Sequence, residues 1–357
     1  MKTITFHCET ITPMFLAGAD GQTPELRAPS IKGAMRFWWR AMNGDKPLKQ
    51  LKKEEAELFG GHYKDENGEE ISLKSKIDII VTPNTLMNSS DKLNGKTFKV
   101  KGHELDILDY LAYGTNSYKK EKKAITFDRE YIKEGQDFKI IINYRNNVKI
   151  QDDIIKPFVL IERIGGLGSK ARNGFGKIHI KKCYDRNGNI NIPHISEVLE
   201  KKGNPKAFLK FSEGIKAYQL KTKSSNAREI LSDLGLIYKS LRTKPDFEKS
   251  HQYFKRSYLA SPLQVDKTNE GLLNNRHPKS YFLSVTKREN DYKGYIYFIP
   301  YKFLEGFDDI PDKEYDKLIN HNHQDYNQAE QTYIEEYKQA HQEFNELLEN
   351  HPHLKKL

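Results

Sequence analysis

The sequence predicts an α+β fold, with two βαββαβ units in tandem and a C-terminal helical extension. Three observations predict it. Residues 3–10 alternate, with Ile4, Phe6 and Cys8 on one side and Thr3, Thr5, His7 and Glu9 on the other, the pattern of a half-buried strand. Strand and helix patterns then follow in the order β, α, β, β, α, β as far as residue 183, which is the order of a ferredoxin-like (RRM-like) unit. Beyond a turn at Asp185–Asn189 and a linker to about Pro205, strand, helix and hairpin patterns recur to residue 299. A chain of 357 residues also suits about two domains. The expected division is 1–190, interrupted by an insertion at 83–136; 205–305, a more divergent unit; and 306–357, a helical tail.

The elements are read as follows. Pro13, Gly18, Gly21 and Pro24 break the chain into a loop over 12–29. A helix runs from an N-cap at Ser30 to about Met42. At ~100° per residue, Ile31, Ala34, Trp38, Ala41 and Met42 form its apolar face. Lys32, Arg36 and Arg40 recur every fourth residue as a basic stripe. Trp39 lies at the seam, either as rim core or as a platform for a base. A charged helix follows at 46–58, and strands are expected at 77–81 and 138–144. Between these strands, 83–136 is polar and broken, with the run Lys119-Lys120-Glu121-Lys122-Lys123. That pattern suggests an exposed, mobile insertion. Asp152 or Asp153 caps the next helix, whose buried face is Ile154, Ile155, Phe158 and Ile161. A strand spans 177–183. In the second half, strands are read at 207–211 and 215–220, a helix at 225–242, and a hairpin at 281–287 and 293–299 around Asn290-Asp291. Ala329, Tyr333, Tyr337, Ala340, Phe344 and Leu347 mark an amphipathic helix in the tail.

Composition narrows the function. The net charge is +10, with 37% hydrophobic and 30% charged residues. The excess of cations favours a polyanionic partner, although excess lysine also serves solubility alone. No segment approaches the ~18 apolar residues of a membrane span, and the first sixteen residues do not read as a secretory leader. A cytoplasmic protein is expected. Two distant cysteines, Cys8 and Cys183, suggest neither a disulfide framework nor a metal knuckle, and neither metal nor cofactor is expected.

The most informative stretch is Ile164 to Lys177, Ile-Gly-Gly-Leu-Gly-Ser-Lys-Ala-Arg-Asn-Gly-Phe-Gly-Lys. Gly165, Gly166, Gly168, Gly174 and Gly176 let the backbone adopt positive φ and approach other chains closely. Lys170 and Arg172 add charge, and no acid occurs from Arg163 to Tyr184. Such a ribbon presents N–H groups and cations to an anion. It is neither a Walker loop nor a dinucleotide fingerprint, because a helix precedes it and a strand follows.

That reversed order resembles the glycine-rich loop of the RAMP superfamily, RNA-binding proteins of CRISPR effector complexes. A second match is Pro24 to Ala41, where Ser30, Lys32, Gly33 and Arg36 fit the family's Ser-x-Lys-Gly-x-x-Arg helix start. The extension Phe37-Trp38-Trp39-Arg40 is similar to one branch, subunit one of the type III-B (Cmr) effector complex. The resemblance implies two ferredoxin-like domains and a non-catalytic subunit that holds guide or target RNA near the 3′ end of the guide, beside other RAMP subunits. It implies RNA contacts from Ser30, Lys32, Arg36, Arg40 and Trp39, and from Gly165, Gly166, Gly168, Lys170, Arg172, Asn173, Gly174, Phe175 and Gly176. Phe175 or Trp39 would stack on a base. Arg276 and His277, in the nearest equivalent of a second loop, would line the same groove.

Two catalytic readings stand beside this one. His7, on the polar side of the first strand, is a candidate base for a metal-independent RNase that processes guide RNA. Asp20, in the loop after that strand, occupies the position of the aspartate in target-cleaving RAMP subunits, but Asp-Gly also simply makes turns.

Overall fold

Strand β1 (Lys2–Thr10) becomes the middle of a five-stranded sheet because its alternating apolar side chains need cover on one face and its backbone needs a partner on each edge. The structure, a computed structural model, describes residues 1–65, 67–83, 85–100, 102–119, 124–199, 209–244, 258–260, 278–301 and 326–357. Helices α1 (Ala28–Asn43) and α2 (Leu48–Phe59) follow β1. A hairpin, β2 (Gly61–Lys64) and β3 (Glu70–Leu73), was not legible in its polar sequence. Next come β4 (Ile77–Thr82), β5 (Asp137–Tyr144), α3 (Lys156–Arg163), β6 (Ile178–Asp185) and the short β7 (Gly188–Asn189). The sheet order is β7-β6-β1-β5-β4, antiparallel throughout. Ile4, Phe6, Cys8, Ile140 and Ile142 face α1 and α3, and Phe6 stacks on Phe158 with centroids 4.3 Å apart.

A second antiparallel sheet holds β8 (Lys216–Ser224), β9 (Tyr281–Arg288), β10 (Asp291–Phe298) and β11 (Leu354–Lys356), in the order β9-β10-β8-β11. Helices α4 (Ala227–Arg242) and α5 (Tyr326–Glu349) belong to this half. Ile230, Leu231, Leu234, Leu241, Phe344 and Leu348 bury together with Leu283, Val285 and Ile296 of the sheet. The chain is thus a mixed α/β protein of antiparallel sheets with helices packed against them.

Several boundaries differ from expectation. Ser30 is not the N-cap of α1; the helix begins at Ala28, because Pro29 fits the first turn, where its missing N–H is not needed. Neither Asp152 nor Asp153 caps α3. A π-helical turn, Ile150–Ile155, leads into it, and Asp153 instead accepts from the Lys149 N–H and the Trp39 indole. The strand expected at 207–211 falls partly outside the described residues, and 209–211 form no strand. The tail is not a separate extension: β11 pairs with β8, and Phe344 and Leu348 of α5 lie in the second core.

The insertion differs most. It carries the antiparallel pair 97–100 with 103–106, the helix Ile107–Leu111 and the antiparallel pair 116–119 with 124–127. Leu93, Ile107, Leu108, Leu111 and Ala112 are buried against the second core. Arg228 of α4 donates to the Leu93 carbonyl at 2.8 Å and pairs with Glu134. Ile107, Leu108, Leu111 and Ala112 do recur at helical spacing, but the run is a single short turn inside a polar stretch, and its partner α4 is distant in sequence. The two halves also meet directly: Trp38 packs on Phe282 (5.7 Å between centroids), and Lys287 pairs with the largely buried Glu9 (2.7 Å).

Candidate nucleic-acid interface

The ribbon Ile164–Lys177 closes back on the loop that follows β1. Ser169 N–H donates to the Phe15 carbonyl (2.9 Å), Gly176 N–H to Pro13 (2.8 Å) and Leu167 N–H to Gly176 (2.8 Å). Glycine is required where the strands press together. A Cβ on Gly176 (φ +66) would lie 1.9 Å from the Leu167 carbonyl oxygen, and one on Gly168 (φ +85) 2.5 Å from that of Phe15. The amides of Gly165, Asn173, Gly174 and Phe175 are also taken by ribbon or helix carbonyls. The expectation of a ribbon offering its N–H groups to an anion is therefore corrected: close packing consumes most of them. Gly165, Gly166, Gly174 and Gly176 are buried, and the accessible arc is Gly168–Asn173.

That arc carries Lys170 and Arg172, and the fold adds two cations that the sequence reading missed, Lys279 and Arg242. Arg172 donates to the Lys279 carbonyl and lies 4.7 Å over the Phe282 ring and 5.9 Å over Phe37. Lys279 Nζ donates to Asn173 Oδ1 (2.7 Å) and sits 4.4 Å over Tyr238. Arg242 donates from Nη2 to the Ala260 carbonyl (3.1 Å), while its buried Nε has no hydrogen-bond partner. Burial pushes the Arg172 guanidinium down to about 10. Burial, and then Arg242 and Arg172, hold Lys279 well below the usual lysine range. Lys170, half buried beside Gly114, is lowered by burial. Among the described residues, none of these four cations has a carboxylate in ion-pair contact. Sequence gave one hint: Lys279 directly follows the Asn274–Pro278 stretch. Arg242 ends a helix 70 residues from the ribbon, and nothing local marks it. Arg276 and His277 lie outside the described residues.

The basic stripe of α1 is used differently from expectation. The acid that pairs it comes from α2: Glu55, largely buried, accepts from Arg36 Nε (2.9 Å) and lies 3.5 Å from Arg40 Nε. Lys32 Nζ donates to Ser75 Oγ (2.6 Å) and the Ile77 carbonyl (3.3 Å), and burial lowers it. Helix α1 does meet the ribbon, but through Trp38, against Gly165, and Phe37, against Arg172. Two stacking candidates fall. Trp39 is 3% exposed, with its Nε1–H donated to Asp153 (3.0 Å), and Phe175 is fully buried against Phe15. Ser30 is half buried at the first turn of α1.

The catalytic candidates stand apart from the cluster. His7 lies on the outer sheet face with Nε2 3.6 Å from Asp137 Oδ2. Asp20 accepts from the amides of Gln22 and Thr23 and from the Thr23 hydroxyl (2.5 Å), which lower it, so it ties a turn. Among the described residues, no group of three His, Cys, Asp or Glu side chains is placed to hold a metal.

The sequence profile of the RAMP superfamily matches residues 7–179. The CRISPR system Cmr subunit Cmr1-2 of Pyrococcus furiosus is 27% identical over 180 residues, 49% of this chain and 94% of that protein. The crystal structure of apo Cmr1 from Pyrococcus furiosus superposes with a TM-score of 0.50 at 18% identity, covering 84% of this chain and 88% of that one. A chain of the type III-B Cmr-beta complex bound to cognate target RNA and AMPPNP superposes with a TM-score of 0.51 at 12% identity, covering 95% and 99%. Residues 7–179 thus form a RAMP superfamily domain, in a chain homologous to the Cmr1 subunits of Pyrococcus furiosus.

Proposed function

We propose that this chain is a non-catalytic, RNA-binding subunit of a type III-B (Cmr) CRISPR ribonucleoprotein in antiviral defence. It holds guide or target RNA near the 3′ end of the guide and works in the cytoplasm beside other RAMP subunits. The observation that carries the reading is the cluster of Lys170, Arg172, Lys279 and Arg242, four half-buried cations at the ribbon with no carboxylate in ion-pair contact among the described residues. Cations gathered without counter-ions are unfavourable unless an anion completes them. A ribose-phosphate chain supplies such anions at regular spacing, and contacts of this kind do not depend on base identity. Kinship to a Cmr subunit supports the same assignment. No described helix is long and apolar enough to cross a membrane.

We read the architecture as two ferredoxin-like units in tandem, expected at 1–190 and 205–305, and the strand orders support that reading. In the first sheet the sequential order of the four principal strands β6-β1-β5-β4 is 4-1-3-2, and in the second it is 2-3-1-4.

Fluorescence anisotropy with labelled single-stranded RNAs of unrelated sequence tests the function. Binding of all of them with similar affinity, weakened alike by Lys170→Ala and Lys279→Ala, is the expected result. Affinity unchanged in both variants would overturn it. Incubation with repeat RNA in the absence of metal tests the enzymatic alternative: discrete cleavage that is lost in His7→Ala would replace this reading with a guide-processing endoribonuclease.

A further inference from the structure

One face of the second sheet packs on α4 and α5. The other, formed by Phe282, Ser284 and Thr286 of β9 and Tyr295 and Tyr297 of β10, turns toward the first unit. The cover is incomplete. Trp38 packs on Phe282, and the Ser284 hydroxyl donates to the Arg163 carbonyl (2.5 Å). Past Arg163 the two units separate around a cavity of about 570 Å³, closed on its far side by the short helix Ile195–Val198. Its size falls in the range of small-molecule sites, ~300–1,000 Å³.

The lining is unusual in what it leaves unmet. Thr286 is 2% exposed, and its buried hydroxyl has no hydrogen-bond partner. Valine would fill the same space without that penalty, so an orphaned threonine calls for a polar partner. The rings of Tyr295 and Tyr297 lie 5.8 Å apart at 21°, a nearly parallel pair at the cavity wall. Among the described residues neither tyrosine hydroxyl, nor the Gln219 amide, nor the Arg288 guanidinium has a partner. Arg163 and Arg288 line the cavity, Arg163 with its Nε 3.2 Å from the buried Glu162 carboxylate, and among the described residues no acidic side chain lines it. The site therefore combines flat aromatic surface, buried hydrogen-bonding groups and two cations. An aliphatic ligand would leave the polar groups unmet, and a bare anion would leave the aromatic pair unused.

We infer that this cavity binds one nucleotide, its base against Tyr295 and Tyr297 with an edge hydrogen-bonded to Thr286 and Gln219, and its phosphate at Arg288, beside the Glu162-paired Arg163. Stacking on aromatic side chains is tolerant of base identity, while Arg288 favours a ligand that carries a phosphate. The nucleotide comes either from solution or as a residue turned out of a bound RNA; only the second source rests on the RNA-binding reading above.

The test uses the full chain with adenosine and uridine 5′-monophosphates, followed by calorimetry and ligand-observed NMR, and with a short single-stranded RNA. Arg288 is exposed at a strand end and Thr286→Val is isosteric, so both variants keep the fold. The expected result is saturable binding of both monophosphates, weakened about tenfold by Arg288→Ala and less by Thr286→Val, which also raises Tm. Nucleosides without phosphate should bind no better than the Arg288→Ala variant binds the monophosphates. An equal loss of RNA affinity in Arg288→Ala identifies a nucleotide of the RNA; loss for the monophosphates alone identifies a free nucleotide. No binding of monophosphates at millimolar concentration, or binding indifferent to both substitutions, overturns the inference and leaves the RNA reading standing. Monophosphate binding that depends on Arg288, in a chain that binds no RNA, would do the reverse.

Discussion

Lys177 Nζ donates a 2.8 Å hydrogen bond to the carbonyl of Gly165, joining the two ends of the ribbon from inside the protein. Lys177 is fully buried; burial pushes it down to about 7, with Glu162 pulling upward and Arg163 downward. An unfolded lysine titrates near ~10.4. Between about 7 and ~10 the unfolded chain therefore holds a proton that the folded chain lacks, and this group makes stability rise with pH by about 1 kcal/mol per unit. Below about 7 the penalty is present in full. Urea midpoints from pH 6 to 10 should rise more steeply in the native protein than in Lys177→Met; parallel curves would refute the buried-lysine account.

Asp109 gives the opposite sign. Burial, and then Asp106, raise its carboxyl to about 6, and its buried Oδ1 has no partner. An acid whose folded value lies above its unfolded ~3.9 destabilises once ionised, so its contribution falls as pH climbs from about 4 to 6 and stays low above that. Asp109→Asn should stabilise the protein by about 1–2 kcal/mol at pH 7 and by nothing at pH 4. Thermal denaturation at the two pH values reads this directly.

The ribbon's glycines are not equivalent to a helical glycine. Gly176→Ala places a methyl group against the Leu167 carbonyl at positive φ and should cost about 3–5 kcal/mol. Gly33, exposed within α1, has nothing within 4 Å of an added Cβ. Gly33→Ala should stabilise by ~0.5–1 kcal/mol through helix propensity. Chemical denaturation of the pair tests whether close approach, and not glycine content, shapes the ribbon.

The two cationic groups should separate experimentally. Lys170→Ala should flatten the dependence of log K on log salt by about 0.7 on single-stranded RNA, the loss of one phosphate contact. Arg36→Ala should leave that slope unchanged and instead lower stability by about 1–3 kcal/mol, since buried Glu55 loses its closest partner. A slope that responds to Arg36 and ignores Lys170 would restore the helix stripe as the RNA contact.

By itself the sequence determined the strand–helix order, the ribbon and its lack of acids, because period-two and period-3.6 burial and glycine's backbone freedom are local properties. The alternating Ile4, Phe6 and Cys8 marked a strand, but not that Thr5 and Glu9 on its other face are buried as well; Ile154, Ile155, Phe158 and Ile161 marked a buried helical segment, but not that its first turn is π-helical. Tertiary structure alone decided which cations meet a carboxylate among the described residues. Glu55 reaches Arg36 from another helix, while Lys279 reaches the ribbon from the second half of the chain with Arg242 near it. Tertiary structure also buried Trp39 and Phe175 and laid the insertion on α4. The reason is physical: a charge is quenched or left bare by whatever the fold brings within a few ångströms, and spacing along the chain carries no record of that distance.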